Sequence, residues 1–260
     1  MDDLLPMLLE LAIKAAQAPS QLIMSGFRSE ALQTEHKSDG SPVTRFDRAA
    51  EQTIRAFLAE HQPGDWPVLG EEFGDDTGSA RYRWVVDPID GTLAFTRGLP
   101  TFGTLLAFED VATRRALIGV IHLPAMAETY SAARGRGATC NGRRVRVAPE
   151  RELRDRLISV PASEMSRLRE GFIADSTSRL PHLRCFTDCA AHAMVARGSI
   201  DALAEFGLCR WDIAATEVIV AEAGGLVLIR DSNEHPGKYD AIAGEKASVQ
   251  DVAMRLTFES

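Results

Sequence analysis

The chain has no CxxC pair, no basic leader, no apolar run near the roughly 18 residues a membrane helix needs, and no cationic surplus; each absence removes a class of function. Its four cysteines, at 140, 185, 189 and 209, are scattered. Cys185 and Cys189 are spaced to share a helix face with His192, but no fourth ligand completes a zinc site, so they read as reduced thiols. The start Met1-Asp2-Asp3 lacks the positive region of a secretory signal. A soluble, cytoplasmic protein without a membrane partner is expected. Against 37 Asp and Glu stand 29 Lys and Arg, a formal charge of −8, which argues against nucleic acid, since phosphate backbones are held mainly by basic side chains. The short run Arg143-Arg144-Val145-Arg146 reads as a solvated face. GxSxG, a P-loop, internal repeats and low-complexity linkers are also missing, so neither a serine nucleophile nor a Walker-type phosphate loop is available.

What is present is a globular composition, 45% hydrophobic over 260 residues, enough for one large body or two closely packed halves. Leu4, Leu8, Leu11 and Ala15 form one stripe of a helix over 3–17, limited by Pro19. "HKSDGSPVT", 36–44, reads as a polar, mobile loop. A second helix, 47–60, buries Ala50, Ile54, Phe57 and Leu58, with Asp47 near its start. Short β-rich runs follow in "WPVLGEE", "RWVVDPI", "TFGTLLAFED", "ALIGVIHLP" and "ETYSAARG". Asn141-Gly142 marks a hairpin turn. Beyond about 150, strand and helix signals alternate: "RLISVP", a helix over 163–170, "HLRCFT", a helix over 188–197, "DALAEF", a helix over 212–223 and "GLVLIR". The division expected is an α+β half, 1–148, and an α/β half, 149–260, in one compact body.

The chemistry concentrates in "WVVDPIDGT", 84–92, where Asp87 and Asp90 follow an apolar strand. Residues three apart on a continuous strand point to opposite faces. A turn at Pro88 is therefore expected to bring both carboxylates and the Ile89 carbonyl to one point, facing the first amides of the next helix. Carboxylates crowded in this way repel each other and lose hydration; a divalent cation removes both objections, and oxygen-only ligands favour Mg²⁺, Mn²⁺ or Ca²⁺. "VLGEEFG" places Glu71 and Glu72 behind another strand, and "RWDIAATEVIVAEAGG" places Asp212 at a helix start. Three acidic element ends suggest one site. Beside free helix amides such a site suits a phosphate ester and its hydrolysis by an activated water.

"SPVTRFDRAAE", "GEEFG", "DPIDGT", "GRGATCNG" and "WDIAA" followed by "EAGG" together resemble the inositol-monophosphatase family of Mg²⁺-dependent, often lithium-sensitive phosphatases, over nearly the whole chain. The resemblance implies a layered α-β-α-β-α sandwich, a homodimer, and two or three Mg²⁺ per site, with Mn²⁺ as a substitute and Li⁺ as an inhibitor. It implies that Glu71, Asp87 and the Ile89 carbonyl hold one metal, and Asp87, Asp90 and Asp212 a second. Gly91 and Thr92 would offer amides to the phosphate; Asp47 would bond the Thr92 hydroxyl, which with Glu71 orients the water. The loop carrying Lys37 would close on the site. Glu205 would face the leaving group. "GLPTFGTLLAF" and "FTDCAAHAMVARG" are similar to the histidinol-phosphate phosphatase branch, where Asp188 and Glu205 would suit a cationic amino-alcohol. Asp188 reads equally as a helix cap. Two departures stand out. Phe46 replaces a small residue before Asp47, and Arg210 replaces the proline before Trp-Asp, where its charge would join the substrate-binding set and favour an anionic substrate. The leading substrate is histidinol phosphate; inositol monophosphate and a nucleotide 3′,5′-bisphosphate are alternatives. A non-catalytic regulatory protein is the reading of another class, opposed by the complete acid set. His122 and His192 read as structural.

Overall fold

The computed structural model describes residues 1–30, 32–37, 40–75, 80–174 and 180–258. Its first half contains α1 (Leu5–Gln17), α2 (Ser20–Gly26), β1 (Thr34–His36), β2 (Pro42–Thr44), α3 (Arg45–His61), β3 (Val68–Gly70), β4 (Gly74–Asp75), β5 (Tyr82–Asp90), α4 (Thr92–Thr96), β6 (Gly103–Asp110), β7 (Arg115–Leu123), β8 (Glu128–Ala133), β9 (Ala138–Cys140) and β10 (Arg143–Arg144). The second half adds β11 (Leu157–Ser159), α5 (Ala162–Ala174), β12 (His182–Arg184), α6 (Asp188–Ala196), β13 (Ala202–Leu208), α7 (Arg210–Glu222), β14 (Leu226–Asp231), β15 (Tyr239–Gly244) and α8 (Lys246–Arg255).

Eight strands form the first sheet in the order β10-β9-β8-β7-β6-β5-β3-β4, and five form the second, β12-β11-β13-β15-β14. The first is antiparallel except where β3 runs parallel to β5; in the second, β11 is parallel to both its neighbours. Period-two alternation explains how one sheet serves two cores. Trp84, Val86, Leu106 and Phe108 pack with Leu5, Leu8, Ile54 and Leu58 of α1 and α3. Their neighbours Val85, Leu105 and Ala107 face Ala191, Val195, Val218 and Ile219 of α6 and α7. Leu203 and Ala243 of the second sheet share that middle core, while Ile158, Ala202 and Ile242 pack against Leu168, Phe172 and Val252 of α5 and α8. The succession is helix, sheet, helix, sheet, helix, which is the layered sandwich expected.

The hairpin at Asn141-Gly142 is formed, with both residues at positive φ of 48° and 76°. The segment expected as a polar loop, 36–44, is instead partly the antiparallel pair β1–β2, closed by the Lys37 N–H donating to the Ser41 carbonyl at 2.9 Å; Ser38 and Asp39 lie outside the described residues. Elements absent from the sequence reading include α2, β4, β15 and α8. Helix α8 escapes notice because Glu245, not one of the usual small capping residues, accepts from the Ala247 and Ser248 amides. No helix among the described residues is long and apolar enough to cross a membrane.

Candidate active site

Strand β5 does not stop at Pro88; it continues to Asp90. Asp87 pairs with Leu105 and Asp90 with Gly103, so three steps along β5 face two along β6. That extra residue is a bulge, and it reverses the parity that would otherwise put the two aspartates on opposite faces. The expected turn at Pro88 is corrected accordingly: convergence comes from a bulge inside a continuing strand. The Pro88 carbonyl still finds a partner in the Thr104 hydroxyl at 2.9 Å.

Asp212 joins from α7, where it closes a capping box by accepting from the Cys209 amide at 2.7 Å. Carboxylate oxygens of Asp87, Asp90 and Asp212 lie within 4.8 Å of one another. The start of α6 also turns toward them, the Cys189 amide donating to Asp90 Oδ2. Glu71, Asp188 and Glu205 complete the ring of acids around a cavity of about 160 Å³. Burial, reinforced by Glu71, Asp90 and Asp212, holds the Asp87 carboxyl well above the usual carboxylate range. Burial, with Asp188 and Asp212, does the same to Asp90, and Asp212 is pushed up to about 7. Asp87, only 2% exposed, has an Oδ1 without any hydrogen-bond partner. A buried lone pair aimed into a nest of acids, with oxygen donors only, fits a hard divalent cation.

Helix α3 supplies the supports. Asp47 sits at its third position, with Oδ2 held by the Thr44 amide at 2.8 Å and the Thr44 hydroxyl at 2.6 Å. Oδ1 remains to accept from the Thr92 hydroxyl at 3.1 Å. That hydroxyl also lies 3.0 Å from the Ile89 carbonyl, so its single proton has two acceptors. One turn further along α3, the fully buried Glu51 accepts from the Glu72 amide at 2.7 Å and from Arg55 at 2.8 Å, fixing the bend that presents Glu71. Sequence reading missed Glu51, although an acid four residues after Asp47 within the apolar stripe was the signal. Gly91 adopts φ 79°, and an added Cβ would lie 3.2 Å from the Thr101 carbonyl oxygen and 3.3 Å from Asp188 Cβ; both conformation and space call for glycine there. The Lys37 ammonium meets Glu71 at 2.7 Å and Glu72 at 2.5 Å.

The structure brings Glu71, Asp87, Ile89, Asp90, Gly91, Thr92, Asp188, Glu205 and Asp212 to one cavity, with Asp47 and Lys37 behind Thr92 and Glu71. Asp188 is no helix cap: it opens α6 at φ 63°, and its side chain lines the cavity. Arg210 requires a correction. Its guanidinium reaches Glu109 at 2.7 Å and Glu217 at 2.9 Å, joining Arg83 and Arg134 in a chain of ion pairs, and it does not line the cavity. Fully engaged by these acids, it offers no charge to a substrate. Phe46 likewise packs away from the site with Phe95, Ile89 and Phe102, its ring filling the space left by Gly26, where a Cβ would lie 2.6 Å from it. His122 is structural, between Ser20 and Thr129 at 2.9 Å each. His192, expected to be structural too, lines the cavity.

Comparison with known proteins agrees with this geometry. A profile described as the inositol monophosphatase family matches residues 5–256. A histidinol-phosphatase of Mycobacterium tuberculosis is 36% identical over 256 residues, covering 95% of this chain and 97% of that protein. An inositol-1-monophosphatase of Mesorhizobium japonicum is 35% identical over 87% of each chain. Among solved structures, the extragenic suppressor protein SuhB from Bartonella henselae superposes with a TM-score of 0.81 at 29% identity, covering 99% of this chain and 100% of that one.

Proposed function

Since the chain belongs to the inositol monophosphatase family and is a phosphoric monoester hydrolase, we propose that its substrate is a phosphorylated amino alcohol, histidinol phosphate or a close relative, and that its cation is Mg²⁺. Asp87, Asp90 and Asp212 would hold one cation, and Glu71, Asp87 and the Ile89 carbonyl another. When bound, the cations neutralise phosphoryl oxygens and acidify water. The amides of Gly91 and Thr92 receive the phosphate. The Thr92 hydroxyl, tethered to Asp47 Oδ1, and the Glu71 carboxylate orient the attacking water. With Asp47 Oδ1 and the Ile89 carbonyl both in reach of the Thr92 proton, the hydroxyl oxygen is left to receive a hydrogen bond from that water.

One observation carries the choice of substrate: Asp188 and Glu205 adjoin each other on the cavity wall, the Asp188 amide lying 3.3 Å from Glu205 Oε1, and among the described residues that line this cavity none is Lys or Arg, His192 being its one imidazole. A cationic leaving group complements that wall; a neutral polyol does not use it. Sequence identity does not decide, since the histidinol-phosphatase and inositol-1-monophosphatase relatives differ by a single percentage point, 36% against 35%. The test is phosphate release from histidinol phosphate, inositol 1-phosphate and a nucleotide 3′,5′-bisphosphate, with Mg²⁺ or with chelator. The expected outcome is cation-dependent turnover with the highest kcat/KM for histidinol phosphate. Faster turnover of inositol 1-phosphate would replace the substrate, and turnover of none would remove the catalytic reading.

A further inference from the structure

His192 belongs to α6, is 2% exposed, and yet presents its ring to the acidic cavity. Its Nε2 lies 2.5 Å from Glu205 Oε2 on β13, and its Nδ1 lies 2.7 Å from the Thr216 hydroxyl on α7. Both supports of Glu205 come from α6, since among the described residues its other oxygen accepts only the longer 3.3 Å contact from the Asp188 amide. A carboxylate accepts and never donates, so the proton between His192 and Glu205 sits on Nε2. In the neutral ring Nδ1 then accepts from the Thr216 hydroxyl; in the charged ring, which Glu205 favours against the effect of burial, Nδ1 donates to that hydroxyl instead, and in both forms Nε2 donates to Glu205. Thr216 anchors the ring on one side and the ring donates to Glu205 on the other.

This donor matters because Glu205 stands among like charges. Asp188 adjoins it and Asp212 lines the same cavity, so like charge opposes its placement there. A long acidic side chain under that force, with one weak amide contact, would swing out of the cavity. The imidazole donor opposes it. The ring is itself fixed by Thr216, which is fully buried.

We propose that His192 is a positioning residue that locks the Glu205 carboxylate on the cavity wall and so sets the preference for a leaving group bearing an ammonium ion. The inference rests on the amino-alcohol reading above and extends it to a residue that neither touches the phosphate nor belongs to the acid cluster. It explains why a histidine is buried where carboxylates crowd: it donates to one of them and holds that carboxylate on the cavity wall. Charge-assisted hydrogen bonds are the strong class, so losing this donor should be felt at the level of about tenfold in discrimination.

The experiment measures kcat/KM, with Mg²⁺ present, for a phosphorylated amino alcohol and for its N-acetylated counterpart, which keeps the size and loses the charge. The protein is compared with His192→Phe, His192→Gln, Glu205→Gln and the double variant His192→Phe/Glu205→Gln. The expected results are a preference for the free amine, an about tenfold fall in that preference in His192→Phe, and its recovery in His192→Gln, whose amide nitrogen replaces Nε2 as donor. In the Glu205→Gln background, His192→Phe should cause no further fall, as expected of two residues acting as one unit. Equal losses on both esters, or losses in preference that add in the double variant, would overturn the proposal. If His192→Phe does not fold, Thr216→Val decides: the same preference should fall by about threefold as the ring loses its anchor, and an unchanged preference would refute the proposal. Hydrolysis of both esters by the unaltered protein without preference overturns the positioning role and leaves the phosphatase standing. Hydrolysis of neither removes the phosphatase reading as well.

Discussion

Replacing Asp212 by asparagine should stabilise the cation-free protein at alkaline pH while weakening its stabilisation by divalent cations. In the folded chain this carboxyl is pushed up to about 7 from an ordinary 3.8, mainly by burial, with Glu71 and Glu205 adding to the rise and the Cys209 amide opposing it. The folded state thus binds the proton more tightly than the unfolded state. Its contribution to stability is complete below the unfolded value and is lost as pH rises through about 7. A gap of about 3 units amounts to about 4 kcal/mol, and the partial exposure of the side chain reduces the expectation to about 2 kcal/mol. For a chain of this length that is a melting-temperature gain of about 4 to 8 °C. Asparagine keeps an oxygen for the Cys209 amide, so the start of α7 is preserved. Calorimetric melting in chelator should show the gain for Asp212→Asn near pH 8, shrinking as the pH falls toward about 4. With Mg²⁺ added near pH 8, the original protein should recover the difference and the variant should gain less. A variant that melts below the original protein in chelator at both pH values would refute the electrostatic account of the site.

Other expectations follow from the same geometry. Asp90→Asn retains an acceptor for the Cys189 amide but loses a cation ligand, and kcat/KM for phosphate release should fall by at least about a thousandfold. The buried ring of His122 is held down to about 4 by desolvation. Its contribution is present above 6.5 and lost as pH falls toward about 4, an acid penalty of about 3 kcal/mol that chelator-treated His122→Gln should no longer show in denaturant titrations. Arg210→Ala leaves Glu109, 1% exposed, with Arg83 as its remaining ion-pair partner and should cost about 3 kcal/mol in the same titrations.

Many of the elements were legible because they rest on strong periodic signals, whereas their layered order followed only from the family resemblance. The stripe of Leu8 and Ala15 on α1, from which the structure leaves Leu4 exposed, and the alternation of Trp84, Val85 and Val86 on β5 can each be satisfied by one arrangement of neighbours. The acid cluster was legible for a different reason: aspartates beside buried valines have no cheap explanation without a compensating charge. What remained hidden depends on contacts between distant segments. The bulge at Asp87–Asp90 exists only relative to β6, so the chain alone suggested a turn. Arg210 looked free because its partners, Glu109 and Glu217, lie on another strand and two helical turns away. His192 looked structural because its acidic partner arrives from β13, and Glu51 was hidden because its task is to hold an amide of the chain after β3.

The most direct test of the central claim is a crystal of this protein soaked in Mn²⁺ and measured at an anomalous wavelength. The account predicts an anomalous peak among Asp87, Asp90 and Asp212, within coordination distance of the Asp87 oxygen that has no protein partner. A clean map with those three carboxylates in place and no peak between them would contradict it.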